Sequence, residues 1–407
     1  MQKTIRRTFA SLAVYNFRLY FVGQGLSLCG TWMQTVSLSL LVLKLTHSGT
    51  QLGFVVAAQF LPVLLFGVYG GVIADRFNKR HVLYFTQSLQ GILALTLGLL
   101  VVTGAVQVWM VYVVASGLGL ATLLDNPSRQ TFVIEMVGND RLKNAITLNS
   151  TMVNGARIIG PSIAAVLIAT IGIGFCFLVN AASYLAVLAA LFAMRGSELF
   201  PTPPTKREPG QIRAGLRYAW QTPALKSTLL MMLIIGTFAY EFQVILPLFA
   251  TRTLNGNAIT YSLMTVAMGI GAIGGGLYSA GRGVATPKQT LLVALLFGVS
   301  IMLTALMPDL PLALLVLVLV GALSVLFISI GNTTLQLTSE PSMRGRVMAL
   351  WAIAFAGTTP IGGPIIGAIA DYTNPRVGLL VGGVSAVLAA ALGFFIAFRK
   401  TSTPEAQ

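Results

Sequence analysis

The chain has 407 residues, of which 56% are hydrophobic and 9% charged, with a formal net charge of +15. A soluble domain carries about a quarter charged residues, so this ratio excludes an ordinary soluble protein. The high hydrophobicity equally excludes a disordered one. A chain that crosses a membrane many times remains.

The gaps between charges locate the crossings. Residues 82–124 form a charge-free run of 43, enough for two spans with a turn at Thr103-Gly104-Ala105. Residues 158–194 give 37 more and 377–398 another 22. The 42 glycines scattered through these runs suit helices that approach closely in lipid. The alternating ten-residue segments of a β-barrel are absent. In chain order the sequence predicts twelve helices, at 18–43, 51–74, 82–102, 108–127, 145–169, 174–194, 227–250, 259–281, 289–307, 311–334, 347–370 and 377–398.

The positive charges then set an orientation. With the N-terminus cytoplasmic, 22 of the 26 Lys and Arg fall on cytoplasmic segments. Lys44, Arg252 and Arg376 fall outside, and Arg157 lies within a span. By the positive-inside rule both termini are expected in the cytoplasm. Small basic groups between apolar runs are a mark of topology, and no basic stripe for nucleic acid is present.

The longest polar stretch, 195–226, holds Pro201, Pro203, Pro204 and Pro209 and divides the spans six and six. The expected units are a first bundle at 1–195, a linker at 196–226 and a second bundle at 227–407. Within the linker, Ile212, Leu216 and Ala219 alternate with Arg213 and Arg217, which predicts a short amphipathic helix on the cytoplasmic membrane surface. The two halves match at one offset. Gly30-Thr31-Trp32 recurs as Gly236-Thr237-Phe238, Arg76 as Arg282, Asn126 as Asn332 and Gln130 as Gln336, all 206 residues apart. Gly160-Pro161 recurs as Gly363-Pro364 at 203. This predicts a duplicated bundle.

Catalytic and metal chemistry find little support. Cys29 and Cys176 each lie in an apolar run, and His47 and His81 lie at span ends, so no metal-ligand cluster is expected. No His-Glu-x-x-His, Gly-x-Ser-x-Gly or Gly-x-x-x-x-Gly-Lys-Ser/Thr pattern occurs. No cofactor is implied, and the chain is not expected to be an enzyme.

Between spans two and three runs Gly71-Val-Ile-Ala-Asp75-Arg76-Phe-Asn-Lys79-Arg80. It resembles the Gly-x-x-x-Asp-Arg-x-Gly-Arg-Lys loop of the major facilitator superfamily, with Asn78 where the family usually has Gly. The resemblance implies a gating loop of Gly71, Asp75, Arg76, Lys79 and Arg80 that latches one state of a transport cycle. Span five carries Gly155-Ala-Arg157-Ile-Ile-Gly160-Pro161, similar to a helix-bend motif of the superfamily's exporters, with a second copy at Gly363-Pro364. Small residues at that spacing permit tight helix contact, and Pro161 is expected to kink the helix. In the family the bend is thought to seal the outer side. Gly30-Thr-Trp32-Met-Gln34 and Asn126-Pro-Ser-Arg129-Gln130 resemble the transmembrane secretion effector branch, which includes enterobactin-type siderophore exporters and drug exporters. The implied fold is all-α, with twelve transmembrane helices in two pseudo-symmetric six-helix bundles.

Ionisable groups deep in a bilayer are functional candidates. Arg157 lies ~21 Å from the cytoplasmic end of span five, and Glu241 ~22 Å into span seven. Glu241 occupies the repeat position of Thr35, on a helix expected to line the central cavity. A carboxylate there can bind a proton, a cationic substrate or Arg157, so Glu241 is the expected coupling acid and Arg157 its conditional partner. Asp125 is expected to pair with Arg129 one turn along. The cavity is expected to be lined by Gln24, Trp32, Gln34 and Gln59 from the first half and by Tyr240, Gln243, Asn332 and Gln336 from the second. An apolar chamber with amides and aromatics suits an amphipathic small molecule.

The reading is a secondary transporter in the cell (inner, cytoplasmic) membrane that exports such a molecule, driven by inward proton flow. One chain encloses a complete site, so a monomer is expected. Import, or lipid transport on the same fold, is the alternative within the class. A channel or a membrane-embedded enzyme is the alternative from outside it.

Overall fold

The computed structural model describes residues 9–200, 211–281, 286–340 and 343–398. Lys3, Arg6, Arg7, the proline run 201–209 with Lys206 and Arg207, Arg282, Arg399 and Lys400 lie outside the described residues. Within them the chain is helical, since apolar segments in lipid must satisfy every backbone group internally.

The first half comprises α1 (Tyr15–Thr46), α2 (Gly49–Arg76), α3 (Lys79–Val102), α4 (108–137), α5 (139–170) and α6 (Ile173–Ala193). Helices α4 and α5 form one unbroken hydrogen-bonded stretch except at Gly138, whose φ of 68° turns the chain. Only a residue without a Cβ takes that conformation readily. The linker helix α7 (Gln211–Gln221) follows. Span seven is divided into α8 (Pro223–Phe238) and α9 (Phe242–Leu248), the latter running into a π-turn at Phe249–Thr253. Then come α10 (Ala258–Gly281), α11 (Pro287–Leu306) and α12 (Leu310–Thr338). Span eleven is divided into α13 (Arg344–Ala356) and α14 (Thr359–Tyr372), and α15 (Pro375–Phe398) closes the second half. Among the described residues eleven stretches are long and apolar enough to cross a membrane, and the longest, Val108–Thr170, holds two crossings. The twelve expected spans are therefore present.

Three boundaries depart from expectation. Span four continues well past 127, because Arg129 lies in the helix and not in a loop. Spans seven and eleven, expected as continuous, are each broken near mid-length. The backbone keeps helical φ and ψ through Pro161, and the non-helical residue inside this stretch is Gly138.

Sidedness is inverted relative to a soluble protein. Phe192, Leu277 and Leu315 are more than two-thirds exposed on the perimeter, while Asn16, Gln34, Gln87, Asp125 and Asn180 are buried inside. Helix α1 packs on α5 and α6, α10 on α12, and α11 on α15. Across the halves α2 lies against α14 and α5 against α10. We call the end that carries Lys79 and Arg346 the basic end, and the end that carries Ser48 and Asp371 the distal end. The linker helix α7 leaves Leu216 and Trp220 exposed. It docks on α13 at the basic end, where Gly215 meets Arg346 and the Glu340 amide donates to Tyr218 Oη at 3.1 Å.

Candidate functional site

A cavity of about 160 Å³ opens between α1, α2, α3, α4 and α9. Leu28, Leu52, Val55 and Leu118 supply an apolar wall, and Gln34, Gln59, Gln90, Asn126 and Gln243 supply amides. Of the expected lining residues, Gln34, Gln59 and Gln243 are here. Gln24, Trp32, Tyr240, Asn332 and Gln336 are not among its walls. Gln24 is buried within the first half, and Gln336 donates to Asn332 Oδ1 along α12. Gln34 accepts from Asn180 Nδ2 at 2.7 Å, which ties α1 to α6. Tyr240 is held in an aromatic cluster with Phe242, Phe297 and Phe355, its hydroxyl donating to the Ser324 carbonyl at 2.8 Å.

The cavity's one cation among the lining residues is Arg129, a residue that sequence patterning alone assigned to a loop. It pairs with Asp125 one turn earlier, as expected. Asp125 is fully buried, and its Oδ1 accepts from Thr86 Oγ1 at 2.9 Å and Gln87 Nε2 at 2.7 Å. A buried carboxylate so supplied is a rigid mount, because each partner lost would leave an unsatisfied group. It fixes Arg129 toward the cavity from behind.

Glu241 sits where span seven is broken. Its backbone, at φ −79° and ψ 36°, is outside the helix, and the residue is 2% exposed. The carboxylate lies over Gly362 and Gly363 of α14. A Cβ at Gly362 would come within 2.9 Å of Oε1, and one at Gly363 within 3.4 Å of Oε2. Oε1 has no hydrogen-bond partner in the protein. The two helix breaks adjoin, since Gly236 packs on the Ala354 carbonyl and on Thr358. Arg157 is stacked over the Trp32 ring at 4.8 Å, with Nε unpartnered. Among the described residues no ion pair joins Arg157 to Glu241. The expected partners thus stand apart in this conformation.

The two Gly-Pro copies do different work. Gly160 packs against the Cys29 carbonyl and Trp32 of α1, inside its own half, while Gly155 has open space beside it. Gly363-Pro364 meets Gly53 of α2, across the halves. Of the gating loop, the side chains at 68–75, Asp75 included, lie outside the described residues. Arg76 is exposed. Asn78 explains its departure from the family's Gly: its Oδ1 caps α3 by accepting from the Arg80 amide at 3.0 Å and the His81 amide at 3.4 Å. Lys79 is buried against Glu135 at 2.7 Å, and Arg80 donates to the carbonyls of Leu191, Phe192 and Met194 at the end of α6.

With this geometry in hand, known proteins place the chain. A family model described as transmembrane secretion effector matches residues 6–407. The multidrug efflux pump Tap of Mycolicibacterium fortuitum is 25% identical over 380 residues, covering 90% of this chain and 92% of that one. The enterobactin exporter EntS of Citrobacter koseri is 24% identical over 380 residues, covering 92% and 90%. Among solved structures, a bacterial homologue of the human lysosomal transporter Spinster, inward-facing, superposes with a TM-score of 0.71 at 17% identity, covering 94% of this chain and 96% of that one. The fold is thus that of transporters, with twelve helices in two six-helix halves, and the chain is a multi-pass membrane protein.

Proposed function

The chain belongs to the transmembrane secretion effector family, and from that membership we propose that it is a proton-coupled exporter of a small amphipathic molecule, working by alternating access. The units that rock are 1–195 and 227–407, joined by 196–226. The basic end faces the cytoplasm, since 22 of the 26 cations flank that side in sequence. Export is supported by the relatives, whose names are those of an efflux pump and an exporter. The matches to Tap and EntS run over nearly the whole of each chain, and the cargoes in their names, drugs and enterobactin, are of the class proposed.

One observation carries the coupling. Glu241 is a carboxylate buried at a helix break, with an oxygen free of protein hydrogen bonds and small residues opposite it on α14. Irregular backbone at membrane depth is tolerated where it is buried in protein or lines a cavity, and an ionisable residue there is a functional-site candidate by default. Arg157, 4.8 Å over Trp32 on the facing half, is the cation that comes to Glu241 when the halves rock. Cargo enters the cavity of amides and apolar wall, with Arg129 offering a hydrogen-bonding cation to its polar end.

The test is purified protein in proteoliposomes with an internal pH reporter. Adding siderophore- or drug-class cargo is expected to move protons in the unsubstituted protein and not in Glu241→Gln. Substrate-driven proton movement that persists unchanged in Glu241→Gln sinks the coupling role. Ohmic current in place of saturable transport sinks the transporter itself.

A further inference from the structure

The distal end carries a cluster of polar contacts that the transport reading leaves without a role. Asp371, in the last turn of α14, turns its carboxylate to the start of α2. Its Oδ1 accepts from the Gly49 amide at 2.7 Å. Its Oδ2 accepts from Ser48 Oγ at 2.7 Å and from the amide and hydroxyl of Thr50, both at 2.8 Å. Arg252, in the π-turn after α9, donates Nη1 to Asp371 Oδ1 at 2.8 Å and Nη2 to the His47 carbonyl at 2.6 Å.

The connectivity gives this cluster its meaning. The opening amides of a helix have no partner inside it, and the side chain that satisfies them ordinarily stands immediately before the helix. Gly49 and Thr50 open α2, yet the carboxylate that caps them comes from the other half of the molecule. His47 closes α1 at φ 51°, and its carbonyl is satisfied by Arg252, again from the other half. Both sides of the α1–α2 turn are therefore capped in trans. Directly beneath, α2 and α14 meet backbone to backbone, Gly49 against Gly367 and Gly53 against Gly363. These glycines bring Asp371 within reach.

The sequence repeats the Gly-x-Ile-Ala-Asp pattern at the opposite end. Residues 367–371 read Gly-Ala-Ile-Ala-Asp, and residues 71–75 read Gly-Val-Ile-Ala-Asp. The first closes α14 at the distal end and the second closes α2 at the basic end. The two helices pack against each other in opposite directions. We infer that Asp371 and Arg252 form a distal latch that holds the two halves closed at this end and must release once in every transport cycle. This rests on the alternating-access reading above. Charge-assisted bonds to amides, hydroxyls and a guanidinium are strong when shielded and are exchanged for water when the halves part, so the latch is reversible.

Spin-label distances in nanodiscs test it without any cargo, in a Cys29→Ser, Cys176→Ser background. Labels at Lys44→Cys and Asn255→Cys report the distal end, and labels at His81→Cys and Leu337→Cys report the basic end. The intact latch is expected to give a short distal distance. Asp371→Ala is expected to raise the distal-open population about tenfold or more. Asp371→Asn, which keeps an acceptor oxygen, is expected to raise it less, and Arg252→Gln, which leaves the α2 amides capped, least. Arg252→Gln also reports if Asp371→Ala does not fold. Distal distances unchanged in every variant that folds, or Arg252→Gln opening more than Asp371→Asn, would overturn the latch. Distal opening with the basic-end distance unmoved supports the latch and sinks alternating access, so the two ideas fail separately.

Discussion

The first and seventh spans occupy equivalent places in the two halves, yet α1 runs unbroken for 32 residues while its counterpart is cut at Glu241. At the repeat offset, Thr35 corresponds to Glu241 and Gln34 to Tyr240. Thr35 spends its hydroxyl on its own helix, donating to the Thr31 carbonyl at 2.9 Å. Glu241 stands outside helical geometry, facing the Gly362-Gly363 pair. The partner helices differ in the same way, α5 keeping helical φ and ψ through Gly160-Pro161 and span eleven breaking just before its own Gly-Pro copy. A Gly-Pro pair is therefore not what breaks a span. Both breaks lie together around the buried acid, as expected if the irregular backbone exists to serve it.

The sharpest way to test that asymmetry is to neutralise each buried charge in turn. Glu241→Gln is expected to reduce cargo-driven proton flux in proteoliposomes by about 100-fold or more, the scale on which essential proton-transfer groups act. Arg157→Gln is expected to slow transport with protons still moved per cargo. Equal loss in both would erase the distinction between the halves.

Next in size are the two Gly-Pro copies. A Cβ at Gly160 would stand 2.5 Å from the Cys29 carbonyl and 2.6 Å from Trp32 Cβ, so Gly160→Ala is expected to cost about 1–3 kcal/mol and lower the thermal midpoint. A Cβ at Gly363 would stand 3.1 Å from the Gly53 carbonyl, a gap that a small relative shift of the halves relieves. Gly363→Ala is thus expected to leave the midpoint nearly unchanged and lengthen the distal spin-label distance. The reverse pattern would mean that the first copy governs closure.

Smaller effects belong to the neighbours. Tyr240→Phe removes the hydroxyl bond to Ser324 and is expected to cost about 1 kcal/mol in a thermal melt. Thr35→Val removes a bond internal to α1 and is expected to change the melt by less than about 0.5 kcal/mol. A large effect at Thr35 would show that the first half carries a coupling site too.

Much of this architecture was legible in the sequence, for a plain reason. Lipid forbids unsatisfied backbone, so charge-free runs must be helices, and their number and duplication follow directly. The acid at 241 was legible because a carboxylate inside such a run has few innocent explanations. Arg129 was not. A cation beside a span end reads as a topological charge, and only the burial of Asp125 with Thr86 and Gln87 reveals that α4 continues and that the pair is internal. The break in span seven was equally hidden, since residues 239–241 hold neither Gly nor Pro, whereas the break in span eleven falls at Gly357, just before Pro360. Asp371 could have been found from the recurrence of Gly-x-Ile-Ala-Asp, but its role depends on α2 and α14 meeting, and no local pattern encodes that.

Gly138 carries a final consequence. It is the sole residue between α4, which bears Arg129, and α5, which bears Arg157 and lies along α10 of the other half. A joint one residue long has no slack, so α4 and α5 behave as the two arms of a crank. The segment leaving α6 is fastened to that elbow, the Phe200 amide donating to the Glu135 carbonyl at 2.8 Å and its ring resting on Gly138. Gly138 is thus the shortest covalent route between the α5–α10 contact across the halves and the helix that carries Arg129 to the cavity wall.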